Sequence, residues 1–441
     1  MRRILVVVVT LSSLPRLAHA GGIEIDEQSA RATGTAGAQT AVANDPAAIF
    51  YNPAGLVDQP GFNALVGGSI IYTWTRAITG DPPVVAPTAG VATTATHTAF
   101  LPTLFLSQRL GRHVALGAGL FTEWGEHFGW PTNWPGRFIG QFVDIQTATF
   151  DFSVSIRLLP FLSIGGGLDV VPGAADLYRA ASFGGAEGSL HVGVSGVGVG
   201  GNVGFLVDLV PHWLRLGFMY RSRVDLDLDG HAVISAPIEL QALAGGRQKA
   251  RTTLILPHTI AVGLAFDPIR QLTLSGDLRV TLWRDLQQLT VTLEDPSAPA
   301  GTPGQSQSVA LLLHNSWALR FGGELRLLGG HLHLRLGLGY DETPLPRETL
   351  GPLLPDTPRM EISAGIGWHE RWIALDAGYM AVVLFKETST NPDLIATYES
   401  QGHVITLSAT VRFGHVGRRV HHEEPPPELR EEPPARRPWQ Q

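Results

Sequence analysis

Hydrophobic and polar residues alternate with a period of two over most of the chain from Phe62 onward. Successive side chains of a β-strand point to opposite faces, so this period predicts strands. Fourteen segments follow it, each near or above the ~9–11 residues with which a tilted strand crosses a bilayer. The segments are Phe62–Trp74, Thr96–Arg109, His113–Glu123, Gln141–Leu158, Phe161–Val171, Leu190–Leu209, His212–Asp227, Arg251–Asp267, Gln271–Asp285, Val309–Leu327, His331–Asp341, Met360–Trp368, Trp372–Leu384 and Thr397–Phe413.

The two faces of these predicted strands differ in polarity. In Gln271–Asp285 one face is aliphatic and the other polar or charged. The aliphatic positions are Leu272, Leu274, Leu278, Val280 and Leu282, and the polar ones are Thr273, Ser275, Asp277, Arg279 and Thr281. An apolar outer face and a polar inner face are typical of a transmembrane β-barrel. A soluble sheet with one wet face is the alternative.

The connections between the strands alternate in length. Tight turns such as Leu110–Arg112 and Leu328–Gly330 are each followed, one strand later, by a long connection. The long connections are Thr75–Ala95, Trp124–Gly140, Pro172–Ser189, Leu228–Ala250, Leu286–Ser308, Glu342–Arg359 and Phe385–Ala396. Short turns on one side and long loops on the other indicate an outer-membrane barrel, with residues 62–413 as the barrel.

The first twenty residues have the pattern of an export signal. Arg2-Arg3 is followed by an apolar run from Ile4 to Leu14 and by the small-residue site Ala18-His19-Ala20. The run is too short to span a membrane as a helix, so we predict a signal peptide at 1–20 that is cleaved after Ala20. The predicted destination is the bacterial outer membrane.

Residues 21–61 lack the strand alternation. This segment is built of small residues, with turn signals at Asp45-Pro46 and Asn52-Pro53. Its Ala, Gly and Thr side chains bury too little surface to offset the entropy of ordering the segment alone. We therefore expect it to lie inside the barrel as a hatch.

Composition excludes several function classes. Charged residues make up 16%, the net charge is −7 without a basic block, and there is no Cys. Nucleic acid is thus not an expected partner, and thiol or disulfide chemistry is absent. The match to a dinucleotide-binding motif at Gly196–Gly201 lies within an alternating strand without a following helix. We expect no enzyme activity, no cofactor and no metal, and a disordered Pro-rich tail at 414–441.

Several motifs resemble the FadL/TodX-type outer-membrane transporters of hydrophobic compounds. They are Glu27-Gln-Ser-Ala, Ile49-Phe-Tyr-Asn-Pro-Ala-Gly-Leu56, Leu256-Pro257 and Tyr340-Asp-Glu-Thr-Pro-Leu-Pro346. The resemblance implies a fourteen-stranded barrel, embedded in outer-membrane lipid and expected to be monomeric, that is plugged by the hatch and carries long-chain fatty acids or aromatic hydrocarbons inward. It implies hatch residues at Glu27, Gln28, Ser29, Phe50, Tyr51, Asn52, Pro53 and Ala54.

The resemblance also implies a kink in the third strand that opens a side window. Gly117 and Gly119 are the candidate positions, because glycine in a strand often marks a bend. A glycine also fits where the hatch packs close to the wall, and this alternative stays open.

Two groups of residues are candidates for ligand binding. Trp124, Phe128, Trp130 and Trp134 lie in one connection on the long-loop side, where exposed aromatic residues would form a landing groove. An interfacial aromatic belt is the alternative. Arg157 and Arg320 lie on polar strand faces and could bind a carboxylate, although luminal charges also brace a barrel wall.

The sequence therefore predicts passive uptake of hydrophobic compounds, gated by the hatch. A structural or adhesion barrel with a permanently sealed lumen is the alternative. A porin for hydrophilic solutes is disfavoured, because the hatch would block free diffusion.

Overall fold

The computed structural model describes residues 22–80, 90–94, 97–238, 246–294 and 303–414. The predicted signal peptide and, apart from Gly414, the predicted tail lie outside these residues, so both stay predictions. Helical structure comprises α1 (Ala30–Thr33), α2 (Ala48–Tyr51) and four 3-10 turns. The turns are Pro53–Asp58, Pro135–Phe138, Trp283–Asp285 and Leu328–Gly330. No helix in the described ranges has the length and hydrophobicity needed to cross a membrane.

Twenty-two strands form one antiparallel sheet within the described residues. In chain order they are β1 (Phe62–Thr79), β2 (Gly90–Thr93), β3 (His97–Leu110), β4 (Val114–Phe121), β5 (Gly125–Gly129), β6 (Phe142–Thr147), β7 (Thr149–Leu159), β8 (Leu162–Phe183), β9 (Ala186–Val210), β10 (Leu214–Arg221), β11 (Val224–Ser235), β12 (Gly246–Leu256), β13 (Thr259–Ile269), β14 (Leu272–Thr281), β15 (Gln288–Glu294), β16 (Pro303–Ala310), β17 (Ser316–Leu327), β18 (Leu332–Asp341), β19 (Arg359–His369), β20 (Ile373–Leu384), β21 (Glu387–Thr388) and β22 (Ala396–Phe413).

Fourteen of these strands close into a ring. Each pairs with its two neighbours in the order β1, β3, β4, β7, β8, β9, β10, β13, β14, β17, β18, β19, β20 and β22. The ring closes because β22 pairs with β1, from Phe62 opposite Phe413 to Thr79 opposite Ala396. Closure removes the free edges of the sheet. The predicted fourteen-stranded antiparallel barrel is confirmed.

Burial along the ring strands follows the predicted period of two. In β7 the aliphatic and aromatic side chains are exposed, whereas the polar side chains between them are buried. The exposed ones are Phe150, Phe152, Val154 and Ile156, and the buried ones are Thr149, Asp151, Ser153 and Ser155. The outer face thus suits lipid, and the polar face turns toward the lumen.

The eight other strands extend the wall on the long-loop side. Four predicted strands break where this extension begins: Gln141–Leu158 at Ala148, His212–Asp227 at Ser222-Arg223, Arg251–Asp267 at Pro257-His258, and Val309–Leu327 between Ala310 and Ser316. At these breaks the chain leaves one ladder for another, so that β10 pairs with β13 while β11 pairs with β12. Hydrophobic periodicity reports which face is buried but not which neighbour pairs, so the breaks were not predicted.

The prediction of a long loop at Pro172–Ser189 is wrong. β8 and β9 continue through it and meet at a tight turn of Gly184 and Gly185. Both glycines have positive φ, at 61° and 103°, which suits a two-residue hairpin. The small Gly and Ala side chains of this stretch weaken the alternation, and this concealed the strands.

Residues 22–60 touch the inner face of the ring on several sides. Wall glycines make room for them, since a Cβ at Gly117 would meet Leu56 at 2.8 Å and Ile49 at 3.0 Å. Similar close approaches join Gly165 to Pro53, Gly217 to Thr40 and Gly378 to Ala30. These glycines lie in β4, β8, β10 and β20, which are spread around the ring. We call residues 22–60 the luminal segment.

Candidate functional site: the luminal segment, its ion pairs and the adjoining cavity

Local hydrogen bonds order the turns of the luminal segment. Ser29 caps α1, with its Oγ accepting from the Ala32 N–H at 3.3 Å. Asn52 caps the 3-10 turn that starts at Pro53, accepting from the Ala54 N–H at 3.2 Å. Proline suits the first position of such a turn, because the N–H that it lacks would have no partner there. The Asn-Pro sequence therefore determines the fold of this part of the segment.

Asn52 also ties the segment together and to the wall. Its amide nitrogen donates to the Thr40 carbonyl at 2.8 Å and to the Phe205 carbonyl of β9 at 3.0 Å. The Ala54 carbonyl in turn accepts from Ser155 Oγ of β7 at 2.9 Å. The side chain of Asn52 thus makes three hydrogen bonds while fully buried.

The aromatic pair and the Glu27–Ser29 motif meet in one place. Tyr51 donates its hydroxyl to the Asp26 carbonyl at 2.5 Å and accepts from the Gln28 N–H at 3.2 Å. Gln28 donates to the carbonyls of Ile25 at 2.8 Å and Thr122 at 2.6 Å. Phe50 packs edge to face against Phe121 of β4, with ring centroids 5.3 Å apart. The structure therefore brings together the predicted hatch residues from both motifs.

Acidic residues of the luminal segment bind arginines of the wall. Asp26 pairs with Arg279 and Arg320, the latter at 2.5 Å from Oδ2 to Nη2. Glu24 binds Arg279 at 2.6 Å, and Arg320 binds Asp341 of β18 at 3.0 Å. Loss of one member of a buried ion pair typically costs ~3–5 kcal/mol, because the remaining charge stays buried without compensation. These pairs hold the start of the segment to β14 and β17.

A second network holds α1. Arg31 Nε lies 3.0 Å from Glu324 Oε2 of β17, and Arg335 of β18 lies 2.7 Å from the same oxygen. Arg335 Nη1 also reaches Asp376 of β20 at 2.7 Å. The Thr33 hydroxyl is 2.8 Å from the Thr406 hydroxyl of β22. Thus α1 is bound directly to β17 and β22, and Arg335 links the same glutamate to β20.

The pKa shifts near the segment follow from burial and from these arginines. Burial opposes ionisation of Asp26, but Arg279 and Arg320 outweigh it and hold the pKa of Asp26 below its usual value. For Glu27, burial is the larger effect and raises the pKa, and the charge of Asp26 raises it further. Burial also raises the pKa of Glu123, in the connection after β4, to about 8.

The β-ladder of the wall is interrupted next to the luminal segment. β3 and β4 pair only up to Leu104 opposite Leu120, and the outer half of β3 pairs on its other side with β1. Beyond Phe121 the chain turns to the luminal segment, where the Ile25 N–H donates to the Glu123 carbonyl at 2.7 Å. Among the described residues, the outer half of β3 has no ladder partner on the β4 side.

The chain does not leave the β3–β4 ladder at Gly117 or Gly119. Both pair regularly on both sides of β4, Gly117 opposite Ser107 and Ser153 and Gly119 opposite Phe105 and Asp151. They lie where Ile49 and Leu56 approach the wall, as a close-packing role requires. The chain leaves the ladder at residues 122–124, beyond the two candidate glycines.

The four aromatic residues of the Trp connection are buried, which contradicts the expected exposed groove. Trp124, Phe128, Trp130 and Trp134 are between 2% and 5% exposed. Trp130 stacks on Trp134 at 4.5 Å between ring centroids and donates to the Pro352 carbonyl at 3.1 Å. The connection folds back over the mouth of the ring, and hydrophobic content alone does not reveal this.

The two arginines that were predicted to bind a ligand carboxylate are already paired with carboxylates of the protein. Arg157 pairs with Asp58 at the end of the luminal segment, and it also donates to the Pro160 carbonyl at 3.1 Å on the short-turn side. Arg320 is 3% exposed and binds Asp26 and Asp341. Both side chains connect charges of the segment and the wall.

A cavity of about 40 Å³ lies between Glu27, the outer parts of β1, β20 and β22, and the Trp connection. Both polar and apolar side chains line it. The lining includes Ile71, Thr73, Thr75, Thr94, Phe128, Arg359, Val382, Leu384, Ser400 and Val404. Sequence analysis missed most of these residues. Their signal is weak, because threonines on an inward face occur in any polar lumen.

Comparisons with known proteins agree with this architecture. The family model described as outer membrane protein transport protein (OMPP1/FadL/TodX) matches residues 11–413. A long-chain fatty acid transport protein of Escherichia coli O6:H1 is 25% identical, over 89% of this chain and 94% of the relative. Outer membrane protein P1 of Haemophilus influenzae is 23% identical, over 88% of this chain and 93% of the relative.

Solved structures share the fold. A Pseudomonas aeruginosa FadL homologue aligns with a TM-score of 0.79 at 21% identity, covering 89% of this chain and all of that one. The Ralstonia pickettii toluene transporter TbuX aligns with a TM-score of 0.67 at 19% identity, covering 88% of this chain and 98% of that one. With the family match over most of the chain, the protein belongs to the outer membrane protein transport family (OMPP1/FadL/TodX), whose members are non-enzymatic β-barrel channels of the bacterial outer membrane.

Proposed function

We propose that the protein is a passive channel for hydrophobic compounds, such as long-chain fatty acids or aromatic hydrocarbons, with residues 21–61 as its movable hatch. The names of the relatives, a fatty acid transport protein and a toluene transporter, support this ligand class. The energy comes from partitioning of the ligand and from its removal on the inner side. A monomeric barrel stays a prediction.

One observation carries the proposal: the hatch is hydrogen-bonded to the chain at the point where the β3–β4 ladder of the wall ends. Where the chain leaves the β3 ladder, the Glu123 carbonyl accepts from the Ile25 N–H and the Gly125 N–H donates to the Ile23 carbonyl. A shift of the hatch therefore moves the edge of the opening. A ligand that leaves sideways at this point enters lipid without crossing the polar lower lumen. Exit through the wall is accordingly part of the proposal.

The hatch must move for transport. The cavity of about 40 Å³ holds a few water molecules and is far below the ~300–1,000 Å³ of sites that enclose a whole ligand. The buried ion pairs of Asp26 and Arg31 favour the rival function, a structural or adhesion barrel whose hatch is a permanent seal. The two functions differ in whether immobilising the hatch stops uptake.

A disulfide lock tests this difference. The chain has no Cys, and the Thr33 and Thr406 hydroxyls are 2.8 Å apart, so Thr33→Cys with Thr406→Cys places two thiols within reach of a disulfide. The measurement is uptake of radiolabelled oleate and toluene by cells that lack other transporters of this family. Oxidation of the double variant lowers uptake at least ~10-fold, and reduction restores it, because the lock fixes α1 to β22.

The chain offers a matched control. Ser69 Oγ is also 2.8 Å from the Thr406 hydroxyl, but Ser69 and Thr406 are paired wall residues. Ser69→Cys with Thr406→Cys therefore links two wall strands and leaves the hatch free. Unchanged uptake in the oxidised hatch lock would reject the hatch as the gate. Absence of uptake in all forms, reduced ones included, would support the rival.

A further inference from the structure

Arg221 is a buried cation that contacts both the hatch and the wall. It is the last residue of β10 and is 3% exposed. Its Nη2 group donates to the Phe50 carbonyl of the hatch at 3.3 Å, and its Nη1 atom lies 3.0 Å from Asp169 Oδ2 of β8. Asp169 in turn accepts a hydrogen bond from Asn202 of β9 at 3.2 Å. One guanidinium group therefore joins the hatch to the strands β8 to β10.

The same guanidinium group reaches the point where the β3–β4 ladder ends. Its Nε atom is 3.4 Å from Glu123 Oε1, two residues beyond the end of β4. Its Cζ atom lies 5.4 Å from the ring centroid of Phe121 and 5.4 Å from that of Phe50. Both distances are within the ~6 Å over which a cation attracts an aromatic face. Arg221 thus contacts the hatch and the end of β4 at the same time.

These contacts differ from those of an arginine that only balances charge. Arg215 of the same strand pairs with Asp58 of the hatch at 3.4 Å and with Asp208 of the wall at 2.8 Å. Arg221 instead contacts the carbonyl and the aromatic ring of Phe50, neither of which carries a charge. Its charge is already compensated by its carboxylate partner in β8. The contacts of Arg221 with Phe50 therefore serve position rather than charge balance.

A displacement of Phe50 changes what Arg221 can bind. The Nη2 group then loses its acceptor, and the guanidinium group loses one of two aromatic faces. A buried donor without an acceptor is costly, so the guanidinium group has to reorient. Because Glu123 and Phe121 lie within its reach, the reorientation acts on the end of β4.

We propose that Arg221 is a positioning residue that makes the hatch and the end of β4 move together during transport. This inference rests on the proposed channel function and names a residue that regulates its gate. Arg221 is not among the residues that line the cavity. Its removal is therefore expected to lower the maximal rate of uptake and to leave the half-saturating ligand concentration unchanged.

A double-mutant cycle on uptake tests the coupling. Phe50→Leu removes the aromatic face and Arg221→Met removes the cation, and each is expected to lower the maximal uptake of oleate or toluene about tenfold, because both interactions are buried. Both substitutions remove the same link. The double variant is therefore expected to lose about tenfold as well, rather than the ~100-fold product of independent effects.

The chain offers a matched control and a safeguard for folding. Arg215→Met makes the same change in the same strand, but the contacts of Arg215 are with Asp58 and Asp208, so its effect multiplies with that of Phe50→Leu. Arg221→Met leaves the Asp169 carboxylate buried without this partner. If it prevents assembly of the barrel, the cycle is run with Arg221→Met and Asp169→Asn together, compared with Asp169→Asn alone, because removal of both partners leaves no uncompensated charge.

Two outcomes overturn this inference alone. Losses that multiply for Arg221 and Phe50, as they do in the control, would show that the two residues act independently. A raised half-saturating concentration in Arg221→Met would place this side chain in ligand binding instead of gating. Uptake that the oxidised Thr33–Thr406 lock leaves unchanged would overturn the gating hatch, and this inference with it.

Discussion

Asn52→Ala is the substitution that separates the hatch from the barrel most cleanly. The side chain is fully buried and bonds only to the luminal segment and to one carbonyl of β9. Alanine leaves the Thr40 and Phe205 carbonyls and the Ala54 N–H without their partner. The Asn52 side chain takes no part in the β-ladders of the ring, so the barrel is expected to stay assembled without it.

The size of the effect follows from those three groups. A buried polar group that loses its partner costs ~1–3 kcal/mol, so three groups give about 3 kcal/mol at the lower limit. Each ~1.4 kcal/mol is a factor of ten in an equilibrium constant, and the open population of the segment therefore rises roughly 100-fold. Uptake falls, because a loosened hatch no longer holds the cavity and the edge of the opening in place.

Hydrogen exchange read by mass spectrometry measures this opening. Amides of residues 22–60 are expected to exchange up to roughly 100-fold faster in Asn52→Ala, while those of β1 and β22 keep their rates. Asn391→Ala is the control, because Asn391 accepts from the Asp393 N–H at 3.0 Å in an outer connection. Unchanged exchange in the segment, or equally faster exchange in the ring, would refute the reasoning.

Three further substitutions test the site. Asp26→Asn breaks the ion pairs to Arg279 and Arg320, and we expect a local loss of ~3–5 kcal/mol, read as protease cleavage within residues 22–60 while the ring stays intact. Glu123 has its pKa raised to about 8 by burial, so between its ordinary value of 4.5 and about 8 the folded protein keeps a proton that the unfolded chain has lost. Its contribution to stability therefore falls as pH rises through that window, and the melting temperature of Glu123→Gln is expected to fall less between pH 5 and 8 than that of wild type; an equal fall would contradict this. Trp130→Ala removes a stacked, buried ring, costs ~3–5 kcal/mol and lowers the melting temperature, whereas an unchanged melting temperature would mean that the ring does not support the outer wall.

The ring was predictable because its chemistry repeats along the chain. Lipid on one side and a polar lumen on the other force the period of two, which the exposed Phe152 and the buried Ser153 of β7 illustrate. The outer wall was less predictable, since β11 buries its apolar side chains and exposes its acidic ones, the reverse of the ring strands. The small Gly and Ala residues of Pro172–Ser189 concealed a hairpin because they weaken the alternation.

The candidate site could be predicted only in part. The Asn52-Pro53 turn is local and follows from residue type. The ion pairs join residues far apart in sequence, as Asp26 and Arg320 do, and nothing local specifies which arginine meets which acid. The aromatic residues of the Trp connection were recognised as unusual, but their burial depends on the neighbouring loop at Pro352.

Identification of a bound ligand tests the channel most directly. The barrel is purified in mild detergent, its bound molecules are identified by native mass spectrometry with lipid extraction, and an empty sample is then incubated with oleate and with toluene. A hydrophobic compound retained on purification, or bound on incubation, is the predicted result. A barrel that stays empty after both incubations would contradict the channel and favour an adhesion barrel with a sealed lumen.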